Sequence, residues 1–249
     1  MSVEVLANSA ENARARAEMR RQGLDFVTPW LLRSLRRARL VKGVSIGDSR
    51  KSWDLLKTIQ FLEKRVGRAS AILDIGALSS EILCALHEMG YSDLAGMDLN
   101  PRLTLMPHAR AIRYTVGDFT ETSFPADTFE AITAISVLEH GFCGLRVFGE
   151  VSRILRPNGY FIGSVDYWPE KIDTSGIRVF GVDWKIFSKD EFLNLIAEAG
   201  SYGLVPVGKL NFQASERTVS LCRREYTFAW FAFQKVNARG SNGKQFSGS

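Results

Sequence analysis

Apolar residues recur with two different spacings along the central part of the chain. Short runs of nearly continuous apolar residues alternate with segments in which apolar residues return every three or four positions. The first spacing is typical of buried parallel strands and the second of amphipathic helices. The runs that predict strands are Ala71–Ile75, Leu94–Asp98, Ile112–Val116, Phe129–Ser136 and Tyr160–Val165, and the helical segments include Ser79–Met89 and Leu145–Leu155. This alternation predicts an α/β fold with a doubly wound, mostly parallel sheet that is covered on both faces.

The segment before the first strand is predicted to be helical. Residues 11–22, rich in Ala and Arg, predict a solvated helix, and residues 51–66 predict a helix with one apolar face. Between them, Leu31, Leu32 and Leu35 recur at helical spacing, with arginines on the opposite side. We interpret this second segment as a helix packed on its own domain, with arginine stems around its rim; weak contact with a membrane surface is the alternative.

The C-terminal third does not alternate in the same way. The pattern predicts a helix over 189–199 capped by Gly200, a strand over 204–207 and an aromatic-rich strand over 226–236. Residues 211–224 are polar and hairpin-like, so the last two strands are expected to be antiparallel to each other. We expect a basic helical extension over 1–50, a main domain over 51–236 and a disordered Gly/Ser-rich tail over 237–249.

The formal net charge of +5 comes entirely from the N-terminal fifth of the chain. Residues 1–51 contain eleven Lys and Arg against five Asp and Glu, whereas the rest of the chain contains 21 against 22. A basic arm is able to meet phosphates or anionic lipid, but the body that would contain an active site is close to neutral.

The three cysteines, Cys84, Cys143 and Cys222, are widely spaced and form no CxxC or Cys/His cluster. Neither a disulfide framework nor a metal site is predicted. The chain shows no signal-peptide pattern and no apolar stretch long enough to span a bilayer, so a cytoplasmic location is expected.

Three acidic residues follow successive predicted strands: Asp74, Asp98 and Asp118. In an open α/β sheet the ligand lies beyond the carboxyl ends of the strands. The distance from Asp74 to Asp98 along the chain corresponds to a strand end, a helix and a second strand. A carboxylate at the end of that second strand is placed to accept hydrogen bonds from both hydroxyls of a ribose. Asp118 then offers an acceptor for an exocyclic amine, and Phe119 offers an aromatic wall for a purine. These residues therefore predict a nucleoside-binding crevice.

Five segments in order resemble the class I S-adenosylmethionine-dependent methyltransferases, in particular the type 11 branch that acts on small molecules. They are Leu73–Gly76, Gly96–Pro101, Gly117–Phe119, Ser136–His140 and Ile154–Gly159, and the resemblance extends over about residues 50–200. It implies S-adenosylmethionine as cofactor and a Rossmann-like sheet of seven strands with the last strand antiparallel. It also implies that the cofactor contacts are Asp74, Gly76, Ala77, Asp98, Leu99, Asp118, Phe119 and Ser136.

The turn after the first strand departs from the family pattern, which has glycine at every second position. Gly76 is kept, but Leu78 and Ser80 replace the next two glycines. A side chain at a left-handed position costs about 1–2 kcal/mol, so we expect a reshaped turn or a more distant cofactor. The chain is also unlike a dinucleotide enzyme. Such an enzyme needs glycines at these positions so that its backbone can approach a pyrophosphate, and two of them are missing here.

Glu139, His140 and Asp166 follow the fourth and fifth strands, where the resemblance places an acceptor, and are our candidate catalytic residues. The alternative for His140 is hydrogen bonding or packing within the site, because Leu-Glu-His occurs in family members with different substrates. Lys51 and Trp53 are candidates for closing over the cofactor.

These patterns predict methyl transfer to an oxygen or nitrogen atom of a small molecule, with the N-terminal extension as a lid or as a contact in a homo-oligomer. Two alternatives stay open: a nucleic-acid or protein methyltransferase that uses the basic arm, and a non-catalytic module that binds S-adenosylmethionine. Nucleic acid is the less expected partner, because the chain lacks an Asn-Pro-Pro-Tyr-like tetrad and a Cys nucleophile motif.

Overall fold

A computed structural model describes residues 2–141 and 145–236 of the chain. The predicted tail over 237–249 and Cys143 lie outside the described residues. The helices are α1 (Ser9–Arg21), α2 (Trp30–Arg37), α3 (Ser52–Arg65), α4 (Ile82–Glu88), α5 (Leu145–Ile154) and α6 (Lys189–Ser201). The strands are β1 (Val3–Val5), β2 (Ile72–Ile75), β3 (Leu94–Asp98), β4 (Ile112–Val116), β5 (Phe129–Ile135), β6 (Leu155–Tyr167), β7 (Arg178–Val179), β8 (Val182–Asp183), β9 (Leu204–Pro206), β10 (Val219–Leu221) and β11 (Arg224–Lys235).

The main sheet has the strand order β1-β11-β6-β5-β2-β3-β4. The five strands from β4 to β6 are parallel to their neighbours, and β11 is antiparallel to β6, which confirms the predicted sheet and its antiparallel last strand. β9 pairs antiparallel with the end of β11, as the sequence predicted for the last two strands. With β9 and β10 included, the described residues form a sheet of nine strands rather than seven.

The sheet has a buried layer on each face because side chains alternate along its strands. In β6, Ile162 belongs to the cluster with α1, α3 and α4, whereas Phe161 and Val165 belong to the cluster with α5 and α6. Ser164 and Asp166 share the face of Ile162, so β6 carries polar side chains under the start of α3.

The N-terminal segment differs from its prediction in two ways. The sequence did not predict β1, which pairs with β11 through Val3 and Val5. Helix α1 is not wholly solvated, because it buries Ala15, Arg16 and Met19. Its sequence is mostly polar, so only its packing on α3 reveals the buried side.

Helix α2 buries none of its residues, and its Trp30 and Leu31 side chains are 78% and 57% exposed. The predicted packing on its own domain is therefore partial: Leu32 and Leu35 are half-buried, and Arg33 and Arg36 donate to backbone carbonyl groups of residues 44–47. Another boundary was also wrong: α6 continues through Gly200 and ends at Ser201, with Tyr202 as its cap.

Candidate active site

The loop after β2, residues 76–80, lies against the carboxyl end of β3. The backbone N–H groups of Gly76 and Ala77 both donate to the carbonyl oxygen of Met97, at 2.9 and 3.1 Å. The N–H of Leu78 donates to Oδ2 of Asp98 at 3.1 Å. The N–H of Gly117, after β4, donates to the carbonyl oxygen of Asp98 at 3.0 Å. The structure therefore brings the three strand ends together, as the acidic residues predicted.

The left-handed positions of this loop are Gly76 and Ser79, with φ values of +73° and +67°. Leu78 and Ser80, which replace the family's glycines, do not take left-handed conformations. The turn is reshaped so that one small polar residue takes the second left-handed conformation. Gly76 is also required by space, because a Cβ atom there would lie 2.6 Å from Cγ2 of Val137.

Asp74 is buried below the loop instead of lining it. Its Oδ1 accepts a hydrogen bond from the hydroxyl of Thr133 at 2.6 Å, and its Oδ2 has no hydrogen-bond partner among the described residues. Burial raises the pKa of Asp74 to about 7, and the nearby Asp98 adds to the rise. This geometry makes Asp74 a support for the loop more than a surface contact for a ligand.

Asp98 and Leu99 end β3 at the edge of the crevice. The Asp98 carboxylate is half-buried and also accepts a hydrogen bond at Oδ1 from the N–H of Asn100, at 2.8 Å. Leu99 is 50% exposed, so it offers an apolar surface next to that carboxylate. The pair has the chemistry of a sugar contact beside a contact for a flat ring.

Asp118 and Phe119, predicted as adenine contacts, lie in different environments. Asp118 is exposed, and its Oδ1 accepts a hydrogen bond from the N–H of Thr120. Phe119 is only 3% exposed and packs in the cluster with α5 and α6. The prediction that its ring forms an open wall is therefore wrong, because a buried ring leaves almost no surface for a ligand.

Ser136 follows β5 in a left-handed conformation, with φ +53°. Its hydroxyl accepts a hydrogen bond from Nζ of Lys51, and the same Nζ lies 3.5 Å from Oδ1 of Asp166. The ammonium also lies 3.6 Å from the centre of the Phe228 ring. Lys51 thus bridges the ends of β5 and β6, and its closing over the cofactor stays a prediction. Trp53 does not, because its indole N–H donates to Glu11 of α1.

Glu139 and Asp166 form a buried carboxylate pair. Glu139 is 0% exposed, and neither of its carboxylate oxygens has a hydrogen-bond partner among the described residues. Burial and the neighbouring Asp166 hold the pKa of Glu139 well above its usual range. Oδ2 of Asp166 accepts a hydrogen bond from the indole N–H of Trp184 at 2.8 Å. The structure therefore brings together two of the three predicted catalytic residues.

His140, the third, lies beside this pair. Burial lowers its pKa, with Asp166 acting in the opposite direction. Its Nδ1 atom is buried without a hydrogen-bond partner among the described residues, and its ring packs on Phe180 at 5.3 Å between ring centres. The imidazole is therefore neutral at neutral pH and able to accept a proton.

Asp54 and Tyr226 belong to the same cluster and were not predicted. Oδ2 of Asp54 accepts a hydrogen bond from the hydroxyl of Ser164 at 2.7 Å, and burial raises the pKa of Asp54 to about 6. Burial, followed by Asp166 and Glu139, raises the pKa of Tyr226. A possible signal for Asp54 was an acidic residue within an otherwise apolar helix face. The single tyrosine in a long aromatic strand carried no such signal.

A buried ion-pair network fastens the N-terminal segment to the loop after β2. The Arg16 guanidinium donates to both oxygens of Glu81 at 2.9 Å and to Asp25 at 2.9 Å. Glu81 directly precedes α4, and the N–H of Gly47 donates to the carbonyl oxygen of Ser79. The loop is therefore supported from outside by residues of the basic arm.

No helix among the described residues is both long and apolar enough to span a membrane. No group of three His, Cys, Asp or Glu side chains within residues 2–141 and 145–236 is placed to hold a metal ion.

The site fits S-adenosylmethionine in two respects. Gly76 takes a left-handed conformation that lets the loop turn at the carboxyl end of β2, and Asp98 presents a half-buried carboxylate beside that loop. Both features lie at the edge of the sheet where the three strand ends meet.

Comparisons with known proteins agree with this fit. The family model described as a methyltransferase domain, type 11, matches residues 73–163. No curated protein matches the chain by sequence. Among solved structures, the chain is similar to geranyl diphosphate C-methyltransferase from Streptomyces coelicolor A3(2), solved with Mg²⁺, geranyl diphosphate and S-adenosyl-L-homocysteine. The TM-score is 0.57 at 16% identity, over 89% of this chain and 98% of that one.

Two further structures share the fold. A geranyl diphosphate methyltransferase in complex with SAM has a TM-score of 0.56 at 19% identity, over 72% of this chain and 85% of that one. An S-adenosylmethionine-dependent methyltransferase from Mesorhizobium loti has a TM-score of 0.53 at 18% identity, over 74% and 97%. Residues 73–163 therefore match the family of methyltransferase domains, and the chain shares the fold of S-adenosylmethionine-dependent methyltransferases.

Proposed function

We propose that this methyltransferase transfers a methyl group to an oxygen or nitrogen atom of a small molecule. The observation that carries the proposal is the cluster of Glu139, His140 and Asp166 next to the loop after β2. Lys51 connects the two parts through its contacts with Ser136 and Asp166. Buried titratable groups with shifted pKa values at the carboxyl ends of strands are characteristic of active sites.

The residues proposed to hold S-adenosylmethionine are those that border the loop. Asp98 would accept hydrogen bonds from the ribose hydroxyls, and Leu99 would lie against the base. Gly76, Ala77 and Ser136 would contact the methionine part through their backbone, while Asp74 keeps the loop in place from below. Asp118 is exposed and available to the adenine amine, whereas Phe119 supports this corner from the core.

His140 is proposed as the general base. Bound S-adenosylmethionine supplies a methyl group that its sulfonium already activates. His140, neutral at pH 7, would accept the proton of an acceptor hydroxyl or ammonium. Glu139, whose pKa is held above its usual range by burial, would donate a hydrogen bond in its protonated form, and Asp166 would stabilise the imidazolium that forms. Alignment of the acceptor by the cluster would supply several kcal/mol in addition.

The arginines of the basic arm argue against a nucleic-acid acceptor. Arg16 and Arg20 pair with Asp25, and Arg21 pairs with Glu18. Arg33 and Arg36 donate to backbone carbonyl groups of residues 44–47. Guanidinium groups that already have partners in the chain contribute less to phosphate binding, which depends on free cations.

The other proposals concern organisation and location. We retain a basic N-terminal extension over residues 1–50 and a methyltransferase domain over 51–236. The exposed Trp30 and Leu31 of α2 support its use as a lid or as a contact between two copies. The free thiols of Cys84 and Cys222 support a reducing, cytoplasmic location.

The direct test is calorimetry with S-adenosylmethionine on the full chain and on Asp98→Ala, followed by a screen of small-molecule acceptors. We expect micromolar binding to the native chain and a loss of about 1.5–3 kcal/mol in the variant, because a charged hydrogen-bond acceptor is removed. Equal binding by both proteins would contradict the assigned ribose contact. Binding without methyl transfer to any acceptor would favour the non-catalytic module.

A further inference from the structure

A basic cleft of about 430 Å³ lies between the loop after β6 and the β10–β11 hairpin. Its volume is within the range of small-molecule pockets. Four cationic side chains line it, Lys171, Arg217, Arg223 and Arg224, together with one carboxylate, Glu225. The body of the protein is nearly neutral, so this local excess of positive charge is not a consequence of the overall composition.

Most of that charge is uncompensated. Lys171 pairs with Glu191 at 2.7 Å. Arg217, Arg223 and Arg224 form no salt bridge with any acidic side chain in the part of the chain that the structure describes. The cleft therefore keeps three guanidinium groups against Glu225 and the neighbouring Asp173, whose carboxylate interacts electrostatically with Arg224.

Two of these arginines are held in place by their surroundings. The Arg217 guanidinium lies 4.5 Å from the centre of the Trp168 ring, and Nε of Arg224 donates to the carbonyl oxygen of Asp173 at 2.7 Å. Each contact leaves other N–H groups of the guanidinium available, because arginine has five. A positioned guanidinium loses less freedom when it binds a ligand.

Arg223 occupies a position where a side chain is unusual. With Cys222 it forms the two-residue turn between β10 and β11, and both have positive φ, +60° and +49°. Glycine or asparagine is preferred at such positions. A strained residue of this kind is compatible with a functional requirement for its side chain.

The cleft and the proposed acceptor site lie along the same two neighbouring strands, β6 and β11. Arg224 and Tyr226 are two residues apart on β11, so their side chains share one face and lie about 7 Å apart. On the adjacent strand, Trp168 is two residues beyond Asp166. A small molecule that reaches from Asp166 and Tyr226 into the cleft would therefore meet Arg217 and Arg224.

We propose that this cleft binds an oxyanion of the acceptor, a phosphate or carboxylate group, and so makes the enzyme selective for anionic small molecules. The proposal rests on the proposed function, because it assigns the cleft to the same acceptor. Guanidinium groups recognise both oxyanions through paired N–H donors.

The test is calorimetry on the full chain at constant ionic strength with three probes: pyrophosphate, citrate and S-adenosylmethionine. The variant is Arg217→Gln/Arg223→Gln, which removes two charges and leaves the hydrogen bond of Arg224 intact. The matched control is Arg37→Gln/Arg39→Gln, which removes two exposed charges near α2, in a segment that does not line the cleft. We expect pyrophosphate or citrate to bind the native chain and the control, and to bind the cleft variant at least tenfold more weakly. S-adenosylmethionine should bind all three proteins equally.

Loss of oxyanion binding in both variants would indicate general electrostatic attraction and would overturn the proposal. Absence of oxyanion binding to the native chain, with S-adenosylmethionine still bound, would overturn it and leave the proposed function standing. If S-adenosylmethionine fails to bind the native chain, the proposed function fails instead. Preference for pyrophosphate over citrate would identify the phosphate form of the acceptor, and the opposite preference the carboxylate form.

Discussion

The two ends of the site differ in how far their carboxylates are hydrogen-bonded. At the cofactor end, defined by the loop 76–80 with Asp74, Glu81 and Asp98, the carboxylates of Glu81 and Asp98 accept hydrogen bonds from Arg16 or from backbone N–H groups, and among the described residues Oδ2 of Asp74 lacks a partner. At the acceptor end, defined by Asp54, Glu139, His140 and Asp166, Glu139 and one oxygen of Asp166 are buried without hydrogen-bond partners among the described residues. Carboxylates with hydrogen-bond partners keep the surrounding backbone in place. Buried carboxylates without partners destabilise the folded state and are typical of sites that carry out chemistry. We therefore expect changes at the first end to alter stability and cofactor binding, and changes at the second to alter catalysis and pH dependence.

The largest expected effect on stability is at the cofactor end, in Arg16→Met. It leaves Glu81 buried without its ion partner, so the free energy of unfolding should fall by about 3–5 kcal/mol in urea titrations. The double variant Arg16→Met/Glu81→Gln should recover much of this loss. Arg21→Met, which breaks an exposed pair on the same helix, should leave the unfolding midpoint nearly unchanged. Similar losses for Arg16→Met and Arg21→Met would mean that the network does not fasten the loop.

At the acceptor end, His140→Gln should reduce kcat about 100-fold, or about 2.7 kcal/mol, once an acceptor is identified. The affinity for S-adenosylmethionine should not change. Because burial lowers the pKa of His140, the acidic limb of the rate profile should lie below pH 6.5, with a plateau at neutral pH. NMR titration of the imidazole offers a check without any acceptor. Asp166→Asn should lower the His140 pKa further, and an unchanged value would remove Asp166 from the site.

Gly76→Ala tests whether the cofactor loop depends on close packing as well as on backbone conformation. Gly90→Ala is the matched control, because Gly90 also has positive φ but has open space around it. We expect the control to lose about 1 kcal/mol of unfolding free energy and Gly76→Ala about 2 kcal/mol, with weaker binding of S-adenosylmethionine. The additional change Val137→Ala should restore part of both losses. Equal losses in the two single variants would show that Val137 does not confine the loop.

The smallest expected effect is a pH dependence of stability from Asp54 at the acceptor end. Its folded pKa of about 6 exceeds the usual 3.8, so the folded protein holds a proton that the unfolded chain releases. Stability from this group is therefore present below pH 3.8 and is lost as the pH rises to about 6. Between pH 4 and pH 7, the native chain should lose about 1–3 kcal/mol relative to Asp54→Asn. The control is Asp190→Asn, at an exposed residue in the first turn of α6. Relative to this control, the native chain should show no pH-dependent loss of stability, and a loss relative to both variants would reject the assignment.

The sequence by itself determined most of the sheet and the cofactor end. The strands Leu94–Asp98 and Ile112–Val116 have the predicted bounds. The first is buried on both faces, as its continuous apolar run predicts, whereas the second is the edge strand and is partly exposed. Asp98 follows its strand directly, so its place at the sheet edge was predictable from local pattern. The antiparallel β11 was expected from the family resemblance.

Tertiary structure decided what depends on contacts between distant residues. Strand β1 is three residues long and acquires its role only by pairing with β11. Arg16 looks like any other arginine of a basic helix until Glu81, 65 residues away, is seen beside it. Phe119 was misjudged because the burial of its ring is set by packing with distant residues. The acceptor end brings together side chains from α3, β6 and β11 and from the segment after β5. The spacing of residues within one element does not predict which side chains of four separate elements will be buried together.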